Sequence, residues 1–66
     1  MKNRIKELRR KMGVTQEEFA AAVKVTRQTV ISLESGRYNA SLMLAHKIAE
    51  YFGTNIESIF LFNEEE

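Results

Sequence analysis

The sequence predicts an all-α fold, and three observations carry that prediction. Apolar residues recur at helical spacing, residues suited to capping a helix stand ahead of the periodic segments, and Gly13, Gly36 and Gly53 each follow one. No strand pattern exceeds the ambiguous Ile59-Phe60-Leu61-Phe62 run, which leaves room for only a short extended C-terminal segment.

Ile5, Leu8 and Met12 lie at i, i+3 and i+7 among Lys and Arg, the stripe of an amphipathic helix over about residues 3–12. Gly13 supplies its left-handed stop. Thr15-Gln16-Glu17-Glu18 then reads as a capping box, in which the Thr15 hydroxyl takes an orphan N–H and Glu18 reaches back. This second helix buries Phe19, Ala20 and Val23 and is short, because Lys24-Val25-Thr26 interrupts its pattern. Thr26 caps a third helix, Arg27 to Ser35, with Val30, Leu33 and Glu34 inward and Gly36 closing it. A polar loop, Arg37-Tyr38-Asn39-Ala40, leads to Ser41, the cap of a fourth helix running to about Phe52. Its stripe is Leu42, Ala45, Ile48, Ala49 and Phe52. Gly53 ends it, and Thr54-Asn55 caps a last turn or two from Ile56 to Phe60. Residues 61–66 form a tail whose acidic end is expected to fray.

Composition limits what such a chain can be. Sixty-six residues make a single domain, 1–66, with no room for a second catalytic or sensor unit. Leu, Ile, Val and Phe supply 18 of the 66 residues, enough to drive folding. Cysteine is absent, so packing alone must hold the core, with neither disulfide nor thiolate metal site. The longest uncharged stretch, Tyr38 to His46, is far short of the ~18 apolar residues of a membrane span, and nothing resembles a signal peptide. A cytoplasmic protein without membrane contact is expected.

The net charge of +1 conceals an asymmetry: residues 1–37 carry +5 and residues 38–66 carry −4. A basic half suits a polyanionic partner, and the acidic half would point away from it. Charged residues on helices are also ordinary solvated surface, so charge alone does not decide.

The spacing of the second and third helices is more specific. Two helices of about eight residues, joined by a turn of three or four and supported by a preceding helix, place the second in the DNA major groove. Thr26, Arg27, Gln28, Thr29 and Ser32 occupy the leading and outward positions of helix three, and all can hydrogen-bond bases or phosphates. Gln28 offers the amide that pairs bidentately with adenine, and Arg27 the fork that matches guanine. Gln16 stands where free backbone N–H groups and the helix dipole favour a phosphate.

At these residues the chain resembles the small stand-alone Cro/C1-type (XRE-like) helix-turn-helix regulators. The blocks Ile5-Lys6-Glu7-Leu8-Arg9, Gly13 to Ala20, Val25 to Val30, and Leu33-Glu34-Ser35-Gly36 follow that family's pattern in order and spacing, as do Ser41-Leu42, Leu44-Ala45 and Lys47-Ile48-Ala49. The resemblance implies a compact five-helix, lambda-repressor-like DNA-binding domain that acts as a dimer on an inverted-repeat operator. It implies base reading by Arg27, Gln28 and Ser32, with Thr26 beside them. Phosphate contacts would come from Gln16, Thr29, Arg37, Tyr38 and Asn39, and an internal ion pair would join Arg9 to Glu34. A carboxylate on an inward face requires such a partner in any case. Three positions depart from the pattern: Lys24 replaces a glycine in the inter-helix turn, Ala40 a proline before Ser41, and His46 an aromatic residue. A left-handed non-glycine residue costs about 1–2 kcal/mol, so the turn is expected to be reshaped.

Leu42, Met43 and Leu44 are consecutive and sweep about 200° of helix surface, more than one stripe can bury. Phe60-Leu61-Phe62 repeats the excess. A homodimer contact is therefore expected through Met43, Leu44, Phe60, Leu61 and Phe62, with the recognition helices roughly 34 Å apart. An antitoxin or protein-interaction module using the same apolar patch is the alternative. His46 lacks the Cys, Asp and further His that a metal site or catalytic triad would need and is expected to be packed or at an interface. Met12 and Met43 read as core or interface filler. No catalytic constellation and no cofactor site is legible, so the expected function is regulation of transcription by binding a double-stranded operator, most simply as a repressor.

Overall fold

Side chains start four of the five helices. The computed structural model describes residues 2–62 and places α1 at Ile5–Met12, α2 at Gln16–Ala22, α3 at Arg27–Glu34, α4 at Leu42–Phe52 and α5 at Ile56–Ile59. Thr15 and Glu18 complete the capping box: Glu18 N donates to Thr15 Oγ1 at 3.0 Å, and Thr15 N to Glu18 Oε1 at 2.8 Å. Thr26, Ser41 and Asn55 accept in the same way from Thr29 N, Leu44 N and Ser58 N. Gly13 and Gly53 end α1 and α4 at φ 73° and 69°, the left-handed region where a side chain is penalised.

The first helix starts later than its pattern suggested. Residues 2–4 pair instead with the C-terminal segment: Arg4 N donates to Ile59 O at 2.8 Å, Leu61 N to Lys2 O at 2.9 Å, and Asn3 and Phe60 form an isolated antiparallel bridge. Phe60 is extended, at φ −98° and ψ 121°. Asn3 secures this pairing from its side chain, where Nδ2 donates to Leu33 O at 2.7 Å and Oδ1 accepts Ile5 N at 3.1 Å. One asparagine thus accepts the first N–H of α1 from just outside the cap position and ties both ends of the described chain to α3.

The core gathers one face of every helix. Ile5, Phe19, Val30, Leu33, Ile48 and Ile59 are fully buried, joined by Ala20, Val23, Leu44, Ala45, Ala49 and Phe60. Phe19 of α2 meets Tyr51 and Phe52 at the end of α4, with ring centroids 5.4 and 5.3 Å away. Such a cluster contributes about 0.5–1.5 kcal/mol per pair beyond area burial, which fixes the helix-turn-helix unit on its support.

Several sequence expectations need correction. Leu44 and Phe60, expected between subunits, lie in the core at 8% and 5% exposure, whereas Leu42, expected in the stripe, is 78% exposed. Helical geometry explains the exchange: at about 100° per residue the buried face of α4, Leu44, Ala45, Ile48 and Ala49, centres about 90° from Leu42 and nearly opposite Met43. Phe60 turns inward because its extended backbone pairs with Asn3. Met12 is exposed because the chain reverses at Gly13, and Val14 packs against the core there instead. Of the two places expected for His46, the packed one is excluded: it is exposed beside Glu50, with Nε2 3.5 Å from Oε1. Glu64, Glu65 and Glu66 fall outside the described residues.

Candidate nucleic-acid interface

The turn between α2 and α3 sets how α3 is presented. Val25 N donates to Ala20 O at 2.9 Å, closing the end of α2. Lys24 lies in the left-handed region at φ 61°, so this lysine takes the backbone conformation that a glycine adopts at less cost. Buried Val30 and Leu33 then hold α3 down by one face and turn its leading edge outward.

On that edge Thr26, Arg27 and Gln28 are exposed, and Thr29 and Ser32 half-buried. The side chains of Arg27 and Gln28 make no hydrogen bond or ion pair with another described residue, so their full donor and acceptor capacity faces outward. Thr26 is partly occupied: its Oγ1 accepts Thr29 N at 3.1 Å and lies 2.9 Å from Thr29 Oγ1. One hydroxyl proton serves that contact, which leaves the other for an outside acceptor.

The loop after α3 folds back onto the helix. Arg37 N and Tyr38 N both donate to Ser32 O, at 3.1 and 3.3 Å. Tyr38 consequently joins Thr26, Gln28, Thr29 and Ser32 around a shallow recess of about 200 Å³. Exposed Asn39, next along this loop, lines a second, apolar groove of about 260 Å³ with Leu42, Ala45, Ile56, Phe60 and Phe62. The two concavities share no residue.

At the other end of α3 lies a polar cluster around Glu34. Arg9 Nε donates to Glu34 Oε2 at 2.6 Å, Arg9 Nη2 to Glu34 Oε1 at 3.4 Å, and Arg9 Nη1 to Val14 O at 2.9 Å. The two side chains are only 10% and 5% exposed. Half-buried Gln16 joins them, donating from Nε2 to Glu34 Oε1 at 3.1 Å. Sequence reasoning did not anticipate this last bond, nor the role of Asn3. Its only signal for Asn3 was a capping residue type just ahead of a periodic segment.

Elsewhere the electrostatics are local. A hydrogen bond from Arg4, reinforced by its charge, holds the Glu7 carboxyl below its usual range, and the Arg4 guanidinium is raised in return. The backbone N–H of Thr15, with its hydroxyl, lowers Glu18 in the same way. Among the described residues no group of His, Cys, Asp and Glu could hold a metal ion, and no helix is long and apolar enough to cross a membrane.

A short helix, a four-residue turn and a second helix with its polar edge outward define a helix-turn-helix DNA-binding domain of the Cro/C1 type, in a lambda-repressor-like fold. The chain belongs to that family: the helix-turn-helix model HTH_3 matches residues 5–59. It is 56% identical over 66 residues to an uncharacterized HTH-type transcriptional regulator of Archaeoglobus fulgidus, covering 100% of this chain and 93% of that one. A similar regulator of Methanocaldococcus jannaschii, MJ0272, is 47% identical over 66 residues and covered completely on both sides. The control protein C.MunI of a Mycoplasma species is 36% identical over 59 residues, which span 88% of this chain and 80% of that protein. The protein is a transcriptional regulator with a helix-turn-helix DNA-binding domain.

Proposed function

We propose that the protein is a cytoplasmic repressor that binds an inverted-repeat operator as a homodimer and acts by occupancy rather than by turnover. The observation that carries this reading is the pair of exposed, unengaged side chains at the start of α3, Arg27 and Gln28. In it, Arg27, Gln28, Ser32 and Thr26 read base edges, and Gln16, Thr29, Arg37, Tyr38 and Asn39 hold phosphates. The second subunit would dock on the apolar groove and the residues around it. Leu42 at 78% exposure, Met43 at 68% and Phe62 at 48% are more apolar surface than a chain this small usually leaves in water, and Leu61 adds to it. The likeness to a protein called a control protein supports a regulatory role. Occupation of the groove by a different protein is the competing reading.

Selection of bound duplexes from a random library, with sedimentation of the free protein at micromolar concentration, tests the proposal. The expected result is two half-sites in inverted repeat, with centres about one helical turn apart, and a concentration-dependent dimer. A single unrepeated site, or a monomer at every concentration, overturns it.

A further inference from the structure

We propose that Glu34 is a positioning residue for DNA binding: its carboxylate fixes the Gln16 amide so that the second Nε2–H of Gln16 faces a backbone phosphate. The inference rests on the reading of Gln16 as a phosphate contact and adds the group that makes that contact one-directional.

The chemistry follows from the donor inventory. A free glutamine amide presents its oxygen or its nitrogen with nearly equal ease, and only the nitrogen can serve a phosphate. An ionised carboxylate accepts only, so a glutamine beside it must turn its nitrogen inward. Here Gln16 Nε2 lies 3.1 Å from Glu34 Oε1, and the amide oxygen in that position would oppose two partial negative charges. The nitrogen carries two hydrogens. One is taken by Glu34 and the other remains for an outside acceptor.

Glu34 can act this way because it is itself immobile. Arg9 bonds both carboxylate oxygens, and its third contact, to Val14 O at 2.9 Å, anchors the guanidinium to the α1–α2 connection. The Glu34 side chain is 5% exposed. Arg9 also offsets the repulsion that a lone carboxylate would exert on a nearby phosphate, leaving a neutral pair behind a neutral amide. A pre-set side chain spares the ordering cost of binding, which corresponds to about two- to tenfold in affinity for one rotamer-rich residue.

A double-mutant cycle tests this, with Gln16→Ala, Glu34→Gln and both together, each titrated with a selected operator duplex and an unrelated one well below its melting temperature. Glu34→Gln keeps the shape but offers an amide that can orient Gln16 either way. The expected result is a loss of about two- to tenfold on both duplexes with unchanged base preference, and no further loss when Gln16 is already alanine. An equal loss with and without Gln16 overturns the proposal, since Glu34 would then act through the general integrity of α3. Unchanged binding by Gln16→Ala alone overturns the reading of Gln16, and the positioning role with it. Unchanged binding by Glu34→Gln while Gln16→Ala binds weakly overturns the positioning role only. If Glu34→Gln does not melt cooperatively, the wild-type Gln16 side-chain amide resonances decide. A Gln16 amide proton displaced from the free-glutamine position and slow to exchange with solvent before DNA is added, with its geminal partner moving on adding duplex, supports the proposal, and a pair at free-glutamine positions that exchanges rapidly overturns it.

Discussion

Gln28 and Arg27 owe their availability to what they lack, an internal partner, whereas Gln16 and Thr26 are partly occupied by neighbours. That difference separates two kinds of contact. Gln28→Ala is expected to flatten preference at one base position, worth about 1–3 kcal/mol of discrimination, and to change stability by less than about 0.5 kcal/mol. Binding assays against single-base operator variants check it, and a ranking identical to wild type would remove Gln28 from the base-reading set. The types and spacing of these residues were legible in the sequence because outward positions on a short capped helix follow from its register. The bond between Gln16 and Glu34 was not, because it joins residues 18 positions apart whose meeting depends on the packing of α2 against α3.

At the scale of elements, caps and stops were the most legible features, since each is decided within three or four residues. The beginning of α1 and the inward face of α4 were less so. Asn3 answers to Phe60 and Leu33, and Leu42 and Leu44 compete for one core that only the assembled helices define. Two predictions belong here. Lys24 is exposed and left-handed at φ 61°, so Lys24→Gly is expected to stabilise the turn by about 1 kcal/mol, raising Tm by about 4–8 °C for a domain of this size. A thermal melt showing no gain would locate the turn's strain elsewhere. The second concerns the cap of α2. The folded state depresses the Glu18 pKa, so its contribution is present above the unfolded-state pKa and is lost as pH falls through the lower, folded value. Stability is therefore expected to decline on acidification from about pH 5 downward, and less steeply in Glu18→Gln, as followed by denaturant titration at several pH values.

The whole molecule presents two distinct surfaces, a polar edge on α3 and an apolar groove beside α4 and α5, with the Arg37–Asn39 loop contributing to both. If copies meet at the groove, Leu42→Glu combined with Phe62→Glu should give a monomer by sedimentation that still unfolds cooperatively, because both side chains are exposed in the single chain, with a melting temperature that no longer depends on concentration. Operator affinity should then fall steeply, because each half-site must be bound separately, while the base preference of a single half-site stays the same. Retention of a dimer would move the contact to another face.

The pairing of residues 2–4 with 59–61 also has a topological consequence, because it makes the backbone nearly a closed ring. A circular permutant could therefore join these neighbouring ends with a few flexible residues and open the chain in the exposed Gly53-Thr54-Asn55 stretch between α4 and α5, which contributes no residue to the proposed DNA contacts. Such a permutant is expected to recover the same helices and the same operator, since the order in which the helices are synthesised would change while their neighbours would not.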